Sequence, residues 1–121
     1  MAEFIYLNVN PDKKRVSDCV TRAIHFTTGI PYEDVRKKLY YTARLFNCEK
    51  LCMCCYRHYI EKVLGCQYVN CDGETLESFA DKHKDGKFLV RMNGHISSVV
   101  NGDCYDIWDC RDEFLTDAWK V

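Results

Sequence analysis

The segment Gly94-His95-Ile96-Ser97-Ser98-Val99-Val100-Asn101-Gly102-Asp103-Cys104-Tyr105-Asp106-Ile107-Trp108-Asp109 reads as a β-hairpin. Asn-Gly between two alternating runs is the strongest short-range signal for a two-residue type I′ turn. With Asn101 and Gly102 as that turn, Val100 faces Asp103, Val99 faces Cys104, Ser98 faces Tyr105, Ser97 faces Asp106, Ile96 faces Ile107 and His95 faces Trp108. Opposed residues share a face of the sheet, so His95, Ser97, Val99, Cys104, Asp106 and Trp108 project together. His95 and Asp106 are then diagonal neighbours, roughly 6–8 Å apart at Cβ, and an imidazole and a carboxylate can meet there. Asp109 falls on the opposite face and ranks second as partner, because a one-residue bulge exchanges it with Asp106. The competing reading is a solvated hairpin with one polar face.

Upstream of the hairpin, Lys87 to Met92 alternates as a preceding strand, so the C-terminal part runs as an antiparallel meander. The rest is mostly helical in pattern. Ser17 is the natural N-cap of a helix that Gly29 ends, and Pro31 precedes a second helix from Glu33 to Phe46 with Val35, Leu39, Ala43 and Phe46 on its buried face. A third helix, Glu49 to Leu64, carries Leu51, Cys55, Tyr59 and Val63 on one stripe and ends at Gly65. Thr75 caps a short fourth helix with Leu76, Phe79 and Ala80. Phe4 to Val9 is a short leading strand, and Phe114 to Trp119 reads as an edge strand or a short helix. Helices followed by an antiparallel sheet is the α+β pattern. With 121 residues, 47% hydrophobic content and no repeat or linker, residues 1–121 are expected to form one domain.

In the first helix, Cys19 follows Asp18 in the first turn, where the helix dipole and free backbone N–H groups favour a thiolate. Taken alone, Cys19 reads as one more buried small hydrophobe. Cys19 at a helix start together with His95 and an acid on paired strands is the arrangement a thiol nucleophile needs.

Asp18-Cys19 at a helix start, Gly94-His95 with its apolar strand, the tight turn and Asp106 together resemble the papain-like cysteine peptidase superfamily, especially its small bacterial and viral branches. Asp18-Cys19-x-x-Arg22-Ala23 with Gly94-His95 and Tyr105-Asp106-x-Trp108-Asp109 is also similar to small proteins of bacteriophage and bacterial genomes. The resemblance implies a thiol protease type of hydrolase, with helices packed on an antiparallel sheet. Cys19 would be the nucleophile, His95 the general base and acid, and Asp106 the group orienting the imidazole. It implies no cofactor, and a peptide or protein as substrate or target. Many members of that superfamily place a glutamine before the nucleophile to hold the oxyanion. None precedes Cys19, and Asn8 and Asn10 are the nearest side-chain amides for that role.

Seventeen basic and 18 acidic residues give a net charge of −1, which supplies no global drive toward nucleic acid or an anionic membrane. Tyr40, Tyr41, Tyr56 and Tyr59 interleave with basic residues, but aromatics at helical spacing belong to a core more often than to a nucleic-acid surface. No run is long enough to span a membrane and no secretory signal opens the chain, so a cytoplasmic setting is expected, the host cytoplasm if the chain is phage-encoded. Nine cysteines, an odd number crowded in the middle, fit reduced thiols better than an extracellular disulfide framework. A zinc site from Cys48, Cys52, Cys55 and His58 is the weaker alternative, because no second Cys-x-x-Cys closes it. Three classes of function remain: a cysteine hydrolase, a catalytically inactive binding or inhibitor protein on the same fold, and a zinc-bound interaction domain.

Overall fold

A computed structural model describes residues 2–15, 17–47 and 53–121. In chain order its elements are strand β1 (Phe4–Tyr6), helices α1 (Cys19–Thr28), α2 (Tyr32–Leu45) and α3 (Met53–His58), a π-helical turn (Tyr59–Val63), strand β2 (Gln67–Tyr68), helix α4 (Leu76–Lys82), and strands β3 (Lys87–Met92), β4 (His95–Val100), β5 (Asp103–Asp106) and β6 (Leu115–Lys120). The strands form one sheet in the order β1-β5-β4-β3-β6-β2. The class is α+β, and no helix among the described residues is long and apolar enough to cross a membrane.

The β4–β5 hairpin turns at Asn101-Gly102, both at positive φ (51° and 86°), as a type I′ turn requires. Its ladder pairs Val100 with Asp103, Val99 with Cys104 and Ser98 with Tyr105. That is the expected register, but the pairing stops there, short of the expected Ser97–Asp106, Ile96–Ile107 and His95–Trp108 pairs. A second Asn-Gly turn, Asn93-Gly94, joins β3 to β4 and brings Met92 opposite His95. The histidine therefore begins its strand immediately after a tight turn.

Two expectations about the sheet are corrected. It is mixed, because β1 pairs parallel with β5, with Phe4 beside Cys104 and Tyr6 beside Asp106. The C-terminal segment is neither edge strand nor helix: β6 lies inside the sheet between β3 and β2, and the fully buried Trp119 pairs with Leu89. Apolar side chains on both faces keep such a strand interior.

Alternation along β3 sends Phe88, Val90 and Met92 into a core shared with α4, Val99 and Cys104, and sends Leu89 into one shared with α1, α2 and α3, Ile96 and Trp119. Helix boundaries also shift. Asp18, not Ser17, is the N-cap of α1. Phe46 falls just past the end of α2 and is 46% exposed instead of joining its buried face. The expected third helix is described only from Met53, and it changes to π geometry with Leu64 N–H donating to Tyr59 C=O. The wider turn breaks the expected stripe, so Cys55 and Tyr59 are buried and Val63 is exposed. Thr75 caps α4 as expected, in a reciprocal box with Ser78.

Candidate active site

Cys19 is the first residue of α1, and the side chain of the N-cap Asp18 makes no capping hydrogen bond but ties that helix end to the preceding loop and to α2. Asp18 Oδ1 accepts from Arg22 Nε at 2.6 Å, and Oδ2 accepts from Asn10 Nδ2 at 2.9 Å and Tyr32 OH at 2.7 Å. Burial would raise the Asp18 pKa, but these hydrogen bonds and the Arg22 charge hold it below the usual carboxylate value. Arg22, one turn along, also places Nη1 3.4 Å from Asp106 Oδ1. A single buried guanidinium therefore joins the helix of the candidate nucleophile to the strand bearing the candidate acid.

His95 opens β4 and Asp106 closes β5, so antiparallel pairing puts both at the same end of the sheet. His95 Nε2 lies 2.7 Å from Asp106 Oδ2. The imidazole is also hydrogen-bonded to Cys19. Burial alone would lower the His95 pKa; its hydrogen bonds to Asp106 and Cys19, and their charges, raise it to about 9. Burial alone would raise the Cys19 pKa. The hydrogen bond from His95, the Ile96 backbone N–H and the charges of His95 and Arg22 outweigh it, and the thiol is held below its ordinary value. The ladder's early end leaves that Ile96 N–H for sulfur rather than for β5. Opposed shifts of this kind describe a thiolate–imidazolium pair.

Asp106 is 4% exposed and is held on every side. Its Oδ1 accepts from the Ile107 N–H at 2.7 Å, and the Cys110 thiol lies 3.8 Å from Oδ2. Burial pushes its pKa up, but hydrogen bonds from His95 and Ser97, the His95 charge and the Ile107 N–H bring it below the usual range. Trp108 sets its ring edge-on to His95, 5.0 Å between centroids, and is 43% exposed at the mouth of the site. Cys19, His95 and Trp108 line a cavity of about 490 Å³, together with Arg15, Met53, Tyr56 and Arg91.

Cys19, His95 and Asp106 thus meet, whereas the other expected site residues do not join them. Asp109 turns away, is bound by Arg111 at 2.8 and 2.9 Å, and has no part in orienting His95. Asn8 and Asn10 are not oxyanion donors, because their amides brace the loop before α1. Asn8 Nδ2 donates to Lys14 C=O at 3.0 Å, Asn10 Nδ2 serves Asp18 and Tyr32, and neither residue lines the cavity. Of the zinc set, Cys48 and Cys52 lie outside the described residues, while Cys55 is fully buried with its thiol donating to Leu39 C=O at 3.3 Å.

His95, Asp106 and Cys110 are the group among the described residues whose ligand atoms, all within 4.8 Å of one another, could hold a metal ion. Arg22 beside Asp106 opposes a dication there by like charge. Cys110 is pushed up by its hydrogen bond with Cys104 and by burial, so it stays a neutral donor to the carboxylate. Arg91 and Tyr56 were not singled out from the sequence as site residues, and no local spacing marks them, since they stand on different elements 35 residues apart. No family model, curated protein or solved structure matches the chain.

Proposed function

We propose that this chain is a small cysteine hydrolase of papain-like architecture, acting on an amide or isopeptide bond of a peptide or protein. The observation that carries this reading is one imidazole, His95, bound at once to a buried carboxylate and to a thiol at a helix N-terminus. In the resting pair His95 holds the proton and Cys19 is the thiolate. Sulfur attacks the carbonyl carbon, the C=O π pair moves onto oxygen, and collapse breaks the C–N bond as the amine takes the His95 proton. A water deprotonated by His95 then hydrolyses the thioester, and collapse expels the Cys19 thiolate, restoring the resting pair. Asp106 keeps the ring oriented and its charged form favoured throughout.

The test is the pH dependence of Cys19 alkylation by iodoacetamide, read by mass spectrometry against the other eight cysteines in wild type and His95→Ala. Expected is fast, selective reaction of Cys19 at pH 6 that slows by about tenfold or more without His95, since each unit of thiol pKa is a factor of ten in thiolate. Reaction no faster than that of the neighbouring cysteines, or indifferent to His95, sinks the reading. The second reading, an inactive binding protein on the same fold, is favoured by the commitment of Asn8 and Asn10 to the loop. It predicts a reactive Cys19 that is never acylated.

A further inference from the structure

The cavity over Cys19 has a polar corner that the triad does not use. Tyr56 on α3 and Arg91 on β3 line it beside Cys19 and His95. Arg91 Nε donates to the Tyr56 hydroxyl oxygen at 2.6 Å, and Arg91 Nη1 is itself fixed on β6 by Thr116 Oγ1 at 2.8 Å and Asp117 Oδ2 at 3.0 Å. A guanidinium only donates, so it occupies the accepting side of the hydroxyl. Tyr56 is 6% exposed, and among the described residues this is its only hydrogen bond. Among the described residues its phenolic proton has no acceptor, and Tyr56 lines the cavity. A buried donor without an acceptor is costly unless a ligand completes it.

The charge state suits donation. Burial raises the Tyr56 pKa; Arg91 opposes this, and the charges of Asp117 and Cys19 add to it. The hydroxyl therefore keeps its proton while Cys19 is a thiolate, and the two residues line the same cavity.

We infer that Tyr56, presented by Arg91, is a catalytic hydrogen-bond donor that binds the oxyanion together with the Cys19 backbone N–H. This rests on the hydrolase reading and fills the role that Asn8 and Asn10 leave vacant. As the Cys19 S–C bond forms and the carbonyl π pair moves to oxygen, the Tyr56 O–H and the Cys19 N–H each donate to that oxygen without transferring a proton. When the C–N bond breaks, the pair returns to the carbonyl and the leaving amine takes its proton from His95. The guanidinium polarises the O–H and strengthens it as a donor.

Two probes separate this role from a structural one. p-Nitrophenyl acetate acylates a thiolate through a tetrahedral oxyanion, whereas iodoacetamide alkylates by displacement at a saturated carbon and forms none. Tyr56→Phe is expected to leave alkylation of Cys19 within about twofold and to slow acylation at least about tenfold, an activated ester needing only part of the roughly 10²–10³ that an oxyanion donor contributes. Because the readout is the ratio of two rates at one sulfur, loss of folded protein cancels. An unchanged ratio overturns the assignment, whether both rates hold or both fall together. A wild-type Cys19 no more reactive than the other cysteines toward iodoacetamide is a different failure: it removes the hydrolase reading, and this inference with it.

Discussion

At the scale of single residues, Cys19 and His95 are coupled, and their opposed pKa shifts act oppositely on stability. His95 is raised from 6.5 to about 9, so its contribution is complete below pH 6.5 and is lost as pH rises through about 9. Cys19 is lowered from 9.0, so its contribution is complete above that value and is lost as pH falls through its depressed pKa. Above the depressed Cys19 pKa and below about 9 the native pair carries one proton, on His95, and wherever that range lies above 6.5 the unfolded pair also carries one, on Cys19. Equal proton counts give no net slope. Cys19→Ser removes one side of the balance and exposes the other. Its stability, relative to wild type, is expected to fall as pH rises above 6.5, by at most about 1.4 kcal/mol per pH unit. Urea midpoints collected from pH 6 to 9 on both proteins check this, and parallel profiles would mean that Asp106 without Cys19 does not hold His95 as the imidazolium.

At the scale of elements, the site is where α1 meets the open end of the β4–β5 hairpin, and Arg22 is the tie. Its guanidinium stands between two buried carboxylates, Asp18 at 2.6 Å and Asp106 at 3.4 Å. Truncating such a partner leaves uncompensated charge, so Arg22→Met is expected to cost about 3–5 kcal/mol in urea denaturation. Cys19 alkylation at pH 6 should fall as well, because the helix end loses its link to β5; unchanged stability would show that the two carboxylates do not depend on Arg22. The hairpin half of this junction was readable in the sequence, since Asn101-Gly102 dictates its own turn and the turn dictates which acid lies diagonal to His95. That argument separated Asp106 from Asp109. The helix half was readable only in outline: Asp18-Cys19 announced a helix start, but the carboxylate's three partners come from Asn10, Arg22 and Tyr32, two of them on other segments. Asn8 and Asn10 were misassigned for the same reason, as amides near a nucleophile look alike until the loop they brace is known. Tyr56 and Arg91 meet only through α3 docking on β3, which no local pattern encodes.

At the scale of the whole molecule, the sheet is the shared wall of two cores, and β1 shows why part of its order was hidden. A parallel partner 100 residues away, Phe4 beside Cys104, leaves no local trace, whereas a hairpin partner does. That pairing makes the first strand a brace for β5, with Cys104 N–H donating to Glu3 C=O and Leu7 N–H to Asp106 C=O, so the acid's strand is held from both ends of the chain. Both cores draw on the same strands: Leu89 and Val90 are adjacent in β3 and serve opposite sides, as do Ala118 and Trp119 in β6. Neither layer can open without exposing the strands that the other covers, so the chain is expected to unfold as one cooperative unit. The cysteines supply a probe on each side: Cys55 lies in the core under α1–α3, and Cys71, Cys104 and Cys110 lie in the core under α4. Alkylation of these four buried thiols at increasing urea, corrected for their rates in unfolded chain, should give one opening free energy and one urea slope. Cys19 should react without any such opening. A lower opening energy confined to Cys71, Cys104 and Cys110 would divide the molecule into separate units. The wall bearing Asp106 could then loosen while the helix carrying Cys19 stayed folded.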